Sequence, residues 1–297
     1  MSGSGKWDRA ALQARARSSA HRFTDSLLGV VTSPWRAFKA LCFTLGLLAL
    51  LGGTVAGIAA YRFLAGLPDV ERMTFTDLRG AAKRHVTESL RNKRSAYRWV
   101  PLADVHRQFL YAVVHSEDAT FFEHDGVNYE AIVDSLAENL RERKVAYGAS
   151  TITQQVVKNV FLTSERTFIR KLRELLITWR VETRFTKNEI LEVYLNIAEF
   201  GPDLFGVFAA SRHFFSKSAA DTSAAEGAFM ALMLPSPRRH YYSIYENRNL
   251  SKVKRRRLER VLRDLLYEEL ITEADYRRFI HYDYFAGAGR SRLPARE

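Results

Sequence analysis

Residues 101–126, PLADVHRQFLYAVVHSEDATFFEHDG, decide how the chain is to be read. After Pro101, Leu102, Val105, Phe109 and Val113 recur at helical spacing, which predicts a helix running to Glu117 with one apolar face. That helix delivers the Glu117 carboxylate behind two largely apolar turns, with Asp118 beside it. A carboxyl group shielded by such a wall has a raised pKa, which suits general acid or base work near neutral pH. The loop that follows holds an aromatic pair, Phe121 and Phe122, then His124, which can brace a carboxylate, and Gly126, which lets the backbone turn. A Glu-Asp pair at a helix end is by itself more often a solvated cap than a site, and the aromatic, His and Gly continuation shifts that balance.

Working outward, the 297 residues are 47% apolar, 12% aromatic and 26% charged, a mixture that supports a packed core rather than disorder. Lys and Arg outnumber Asp and Glu by 45 to 33, so the net charge of +12 favours anionic partners: nucleic acid, acidic lipid or a phosphorylated substrate. The single cysteine, Cys42, rules out an intramolecular disulfide and a Cys-rich zinc site, and the eight His show no paired metal-ligand spacing.

Between Lys39 and Arg62 lie 22 residues, Ala40 to Tyr61, without a charge. As a helix they span about 33 Å, the thickness of a hydrocarbon core. A cleaved signal peptide has a shorter apolar region nearer the terminus, so this segment is expected to be a retained transmembrane helix. Upstream, Lys6, Arg9, Arg15, Arg17, Arg22, Arg36 and Lys39 face only Asp8 and Asp25, which predicts a cytoplasmic N-terminus. Everything after Arg62 is then extracytoplasmic, and nucleic acid drops out as a partner. The expected layout is a basic cytoplasmic tail over 1–39, a transmembrane helix over 40–61 and a polar stalk or docking segment over 62–94. A helical domain over 95–280 and a tail over 281–297 complete it. Within that domain, Thr186 with Glu189 and Ser223 with Glu226 are capping boxes that open two helices, and Gly201-Pro202 breaks the chain between them.

Three further stretches carry chemistry. Residues 148–159, GASTITQQVVKN, put Ile152 and Val156 on one helix face and Thr151, Gln154 and Lys158 on a polar stripe. Glycine, a hydroxyl cap and a helix N-terminus make that stretch anion-friendly, although a well-capped amphipathic helix explains the hydroxyls alone. Arg166, Arg170 and Glu174 recur every four residues with Lys171 one step round, so three cations surround one carboxylate. Solvated pairing is the bland reading; the excess of positive charge argues for an anion nearby. In residues 187–196, KNEILEVYLN, Ile190 and Tyr194 belong to a buried face with Ile197, so this helix reads mostly as architecture.

Taken in order and at these spacings, the four stretches resemble the signature blocks of the family 51 glycosyltransferases, the peptidoglycan polymerases, over residues 95–270. The family's Pro-Asn-Pro-x-Arg block is matched less well by Pro235-Ser236-Pro237-Arg238-Arg239, and Asn128 stands where the family pattern has Asp. Lys-Thr-Gly and Ser-x-Asn are absent, and Ser251 to Lys254 is the sole Ser-x-x-Lys. The resemblance is therefore to the monofunctional biosynthetic transglycosylase type, equivalent to the glycosyltransferase domain of class A penicillin-binding proteins without a transpeptidase.

That resemblance implies a mostly α fold: a lysozyme-like helical catalytic domain, a smaller membrane-facing lobe near 122–165, and one N-terminal transmembrane helix. It implies that lipid II is polymerised into β-1,4-linked glycan with release of undecaprenyl diphosphate and inversion at the donor carbon. Glu117 would be the base, and Lys158, Arg166, Arg170 and Lys171 would hold the diphosphate. Glu174 would orient these cations or a divalent ion, Mg or Mn; no other cofactor is called for. Ser150, Thr151, Gln154 and Gln155 would shape the cleft. Asp118, Phe121, His124, Gly126, Asn159, Asn196 and, more weakly, Arg239 would complete the substrate-binding set. Implied partners are lipid II, the growing glycan chain, membrane lipids and cell-wall synthesis proteins, with the enzyme in the plasma (inner) membrane. The competing readings are a membrane-anchored muramidase or lytic transglycosylase, and a catalytically silent cell-wall scaffold. Cleavage of a neutral glycoside needs no cation cluster.

Overall fold

A computed structural model describes residues 34–93, 95–142, 150–163 and 167–286. The chain divides into two compact units, one ending at Leu67 and the other beginning at Pro68. The described part of the first is essentially one helix, α1 (Pro34–Ala65), which buries none of its residues. It is apolar and long enough to cross a membrane. The helix outruns the uncharged segment at both ends, so Arg36, Lys39 and Arg62 lie where long cationic side chains can reach a polar boundary.

The second unit is built from α2 (Phe75–Ser89), α3 (Arg107–Glu117), α4 (Tyr129–Glu142), α5 (Ile152–Phe161), α6 (Phe168–Arg184), α7 (Lys187–Ile197), α8 (Gly206–Phe215), α9 (Ala224–Ala231), α10 (Pro237–His240), α11 (Lys252–Tyr267) and α12 (Glu273–Phe279). The strands β1 (Glu199–Gly201) and β2 (Leu204–Phe205) form a short antiparallel pair around the Gly201-Pro202 break. The chain is mostly α with one N-terminal apolar helix, as expected. Both expected capping boxes form, and Thr74 with Asp77, Thr151 with Gln154 and Thr272 with Asp275 form three more. Each satisfies a backbone N–H that a helix start would otherwise leave without a partner.

The segment expected as a stalk or docking piece contains α2, whose Leu78, Ala82 and Val86 recur at four-residue spacing and are buried. This face packs on α7 and α5, which makes the segment part of the second unit's core. The helix expected to run unbroken from Pro101 also differs. Leu102–Asp104 is a single 3-10 turn, Val105 is extended, and α3 begins at Arg107 behind His106 as N-cap. The N–H of His106 donates to the carbonyl of Ala219 at 3.0 Å, so that tertiary bond takes the place of the helical one.

The core centres on α3 and α9, the most extensive helix pair. Every residue of α9 is buried. The close approach depends on Gly227, where a Cβ would stand 2.7 Å from the carbonyl oxygen of Phe109. Phe109, Ala112 and Val113 line the face of α3 that this contact covers. A second layer, α7 against α5 and α5 against α6, positions the polar faces of α5 and α6 opposite the end of α3.

Candidate active site

The site starts where α3 stops. Glu117 is its last residue, and its carboxylate is 8% exposed in a cleft of about 280 Å³ lined by residues 115–120, Asn128, Ala131, Ser150 and Thr151. Gln155 Nε2 donates to Glu117 Oε2 at 3.2 Å, and the Arg257 guanidinium on α11 stands 3.5 Å from Oε1. Burial pushes the Glu117 pKa from 4.5 up to about 7, against the lowering effect of Gln155, Arg257 and Lys158. A carboxyl group balanced there accepts a proton readily at neutral pH.

On α6, Glu174 is buried, with Arg170 donating to Oε2 at 3.0 Å and the Lys171 ammonium contacting Oε1. Lys158 on α5 joins this group. Its pKa is lowered by partial burial and by Arg170 and Lys171, while Glu174 and Glu117 pull it back up. The structure thus brings Glu117, Gln155, Lys158, Arg170, Lys171 and Glu174 into one electrostatically connected site. The expected contribution of Arg166, with Gly148 and Ala149, lies outside the described residues. Ser150 lines the cleft, and Asn159 sits half-buried on α5 next to Lys158.

Several residues expected to bind substrate are committed elsewhere. Both Asp118 oxygens are taken: Oδ2 accepts from the Ile152 N–H at 2.9 Å, and Oδ1 pairs with His124 Nε2 at 2.9 Å. Because His124 Nδ1 accepts from the Gly126 N–H at 3.1 Å, Nε2 carries the proton and donates to Asp118. Gly126 has φ +85°, and a Cβ there would meet Glu182 Cγ at 2.6 Å and Thr178 Cγ2 at 2.7 Å. Thr151 and Gln154 are buried and close a capping box on each other, and the Thr151 hydroxyl donates to the Gly126 carbonyl at 2.7 Å. These five residues clamp the α3–α4 loop to the start of α5; they hold the walls of the cleft.

Phe121 is a correction of the same kind, for its ring is wholly buried beside Phe122 and His124 with the Lys187 ammonium 4.6 Å from its centroid. Asn196 is likewise buried. Its Oδ1 accepts from the Val100 N–H and its Nδ2 donates to the Val100 and Glu192 carbonyls, each at 2.8 Å. It staples Val100 to α7. Tyr194, whose hydroxyl is buried near Glu117 and Asp118, has a pKa well above 10, from burial first and then from those two carboxylates. Asn128 donates to the Thr120 hydroxyl at 2.7 Å and accepts from the Ala131 N–H at 2.8 Å, so an amide serves as both donor and cap at the start of α4.

Residues 83–265 match the transglycosylase family. The chain belongs to that family. Among its relatives, the biosynthetic peptidoglycan transglycosylase of Bordetella avium is 46% identical over 151 residues, 50% of this chain and 62% of the relative. That of Thiobacillus denitrificans is 42% identical over 54% of this chain and 68% of its own length. That of Ralstonia nicotianae is 36% identical over 69% of this chain and 85% of its own length. This chain therefore spans about three fifths of the length of some of these relatives. The matched region covers α3, α5, α6 and most of α11, and so includes every residue of the cleft described above.

Arg257 is the functional candidate that the sequence did not single out. It lies within residues 238–263, a run of ten basic and two acidic residues whose sequence reads as well as a solvated helix as it does as a contact for anionic head groups. Its placement depends on α11 packing against α3, which lets one guanidinium nitrogen donate to the Ser116 carbonyl at 3.1 Å and the Ser116 hydroxyl at 3.2 Å. The available signal was the adjoining face: Leu258, Val261, Leu262 and Leu265 mark the buried stripe of α11, and Arg257 stands at its edge, one turn before Val261.

Proposed function

We propose that this chain polymerises lipid II into β-1,4-linked glycan, with Glu117 as general base and the α5–α6 cations as the diphosphate site. The observation that carries the reading is a carboxylate of pKa about 7 flanked by Lys158, Arg170 and Lys171 around the buried Glu174. Glu117 removes the proton from the 4-hydroxyl of the acceptor N-acetylglucosamine as that oxygen bonds C1 of the donor N-acetylmuramic acid. The bond from C1 to the diphosphate oxygen breaks, its electron pair leaves with the undecaprenyl diphosphate, and attack from the opposite face inverts the anomeric carbon. Lys158, Arg170 and Lys171 neutralise charge that builds on the leaving group.

A metal at Glu174 does not fit the donor set. Both its oxygens are engaged by Arg170 and Lys171, and the described residues gather no three metal-ligating side chains. Side-chain cations perform the charge neutralisation in this reading.

The lipid substrate agrees with the surface. Tyr129, Val133 and Leu140 on α4 are exposed, and so are Phe168, Ile169, Leu172 and Trp179 on α6, with Phe168 84% exposed. Aromatic and aliphatic side chains of that kind suit a bilayer boundary. They extend the apolar surface expected over 122–165 onto α6. With α1 as anchor, the proposed arrangement is single-pass in the plasma (inner) membrane, with the N-terminus cytoplasmic and the second unit outside.

Purified protein is tested with labelled lipid II and, separately, with finished glycan strands. Polymer from lipid II, lost in Glu117→Gln, is the expected result. Shortened strands without polymer would assign the cleft to glycan cleavage instead, no product from either substrate would leave the chain a scaffold, and polymer undiminished in Glu117→Gln would remove Glu117 as the base.

A further inference from the structure

Asn128 fixes the direction of one hydrogen bond in the wall of the Glu117 cleft. Its Oδ1 accepts from the Ala131 N–H at 2.8 Å, and its Nδ2 donates to the Thr120 hydroxyl at 2.7 Å. A backbone N–H can only donate, so the amide cannot be turned over and the Thr120 oxygen is the acceptor of that bond. The Thr120 proton is left unspent, for among the described residues no acceptor takes it. Thr120 lies past the end of α3, outside the helix in which a hydroxyl would donate to a carbonyl four residues back. It is half-buried in the cleft wall, in a turn closed by the Glu123 N–H on the Thr120 carbonyl at 2.9 Å.

Asn128 stands where the family pattern has Asp. An ionised carboxylate there would have no proton to give, so Thr120 would donate to it and its proton would be consumed inside the wall. The amide reverses that bond and frees a donor. Other polar groups of the cleft are already engaged: both Asp118 oxygens accept, and the Thr151 hydroxyl donates to Gly126. Ala119 and Ala131 add methyl groups to the lining, and Asn128 adds no charge. A neutral O–H donor with methyl groups in the same wall matches an acetamido group, which presents a carbonyl oxygen and a methyl. It does not match a diphosphate, which calls for cations.

We propose that Thr120, oriented by Asn128, donates to the acetamido carbonyl of a sugar bound beside Glu117. The inference rests on the polymerase reading, in which the acceptor N-acetylglucosamine and the donor N-acetylmuramic acid both carry that group into the cleft. Thr120 makes the contact, and Asn128 acts through it as a positioning residue. A site that hydrogen-bonds one substrate group discriminates against a substrate lacking it, because its own donor is then left unpaired. The pair thus selects for N-acetylated sugars at the position where the new bond forms.

The test uses full-length protein in detergent with a preformed lipid-linked glycan strand as donor and lipid II as acceptor, each varied while the other is fixed. Thr120→Val keeps the shape and removes the proton; it is expected to raise one of the two KM values about tenfold, and Thr120→Ser to restore it. Asn128→Asp keeps the hydroxyl but turns its bond round, and should raise the same KM. Substrates with trifluoroacetamido in place of acetamido, on the acceptor glucosamine or on the donor muramic acid, offer a weaker carbonyl acceptor. One of the two should raise the wild-type KM severalfold and leave that of Thr120→Val unchanged, which identifies the sugar that Thr120 holds. The proposal is overturned if both KM values stay unchanged in Thr120→Val, or if Asn128→Asp behaves as wild type. It is overturned as well if the fluorinated substrates weaken wild type and Thr120→Val alike. A lower melting temperature with unchanged KM would make the Asn128–Thr120 bond a structural brace only. If the wild-type chain makes no polymer, the polymerase reading falls, whereas polymer formed with unchanged KM in both variants removes only this contact.

Discussion

Gln155 Nε2 donates to Glu117 Oε2 at 3.2 Å, so the carboxylate at the end of α3, the proposed base, is held by a side chain of α5, 38 residues further along the chain. That bond and the nearby Arg257 partly offset the burial that lifts the Glu117 pKa to about 7. A base with that pKa is active when deprotonated. The rate of polymer formation should therefore fall about tenfold per pH unit below pH 7 and level off above it. Glu117→Gln should lower the plateau by about 10²- to 10⁴-fold. An initial-rate profile with labelled lipid II from pH 5 to 9 measures both.

The same burial has an effect on stability with the opposite sign. A carboxyl whose folded pKa is raised holds its proton more tightly in the folded chain than in the unfolded one. The stability this contributes is complete below about 4.5 and is lost as pH rises through about 7. Glu117→Gln has nothing to titrate. Relative to wild type it should gain stability between pH 5 and pH 8.5, by up to about 3 kcal/mol from a shift of this size. Melting temperatures of both proteins across that range check the trend, and a constant difference would mean that Glu117 is solvated.

Gly126 tests the clamp. At φ +85°, any side chain is strained, and a Cβ would strike Glu182 and Thr178 well inside contact distance. Gly126→Ala should cost about 1–3 kcal/mol and reduce the folded yield or melting temperature accordingly. A neutral effect would show that the loop can move away from α6.

Much of this clamp was legible in residue order, because helix caps and the positions of Glu117, His124 and Gly126 are local features. Glu174 was also legible, since Arg170 and Lys171 reach it within one turn of the same helix. What the sequence could not give was decided by pairing across distance. Phe121 and Asn196 read as substrate contacts, but in the fold Phe121 is buried beneath Lys187 and Asn196 is buried against Val100. The start of α3 moved to Arg107 because the Ala219 carbonyl, more than a hundred residues away, takes the His106 N–H. Arg257 stayed hidden for the same reason: it reaches Ser116 across 141 residues.

Asp118 accepts two hydrogen bonds whose donors cannot turn elsewhere, since the Ile152 N–H is backbone and the Gly126 N–H fixes the His124 tautomer. Asn in its place keeps the volume but offers only one acceptor oxygen. One buried donor is then left without a partner, at a cost of about 1–3 kcal/mol. Asp118→Asn should therefore lower the melting temperature and, because it loosens α5 where Gln155 is held, reduce kcat as well. Thermal unfolding and steady-state rates on the same preparation check the two effects together; an unchanged melting temperature would refute the bracing role.

Arg257 contributes a positive charge 3.5 Å from the Glu117 carboxylate and so favours its ionised form. Removing that charge in Arg257→Gln should raise the Glu117 pKa further, which moves the acid limb of the rate profile to higher pH. Arg257→Lys keeps the charge but not the fork that grips Ser116, so its limb should lie between those of wild type and Arg257→Gln. Lys158→Gln removes another positive charge that favours the ionised carboxylate and should move the limb the same way. A purely structural role for Arg257 would lower the plateau without moving the limb. The full pH profile, rather than a rate at one pH, separates charge tuning from simple damage to the α3–α11 contact.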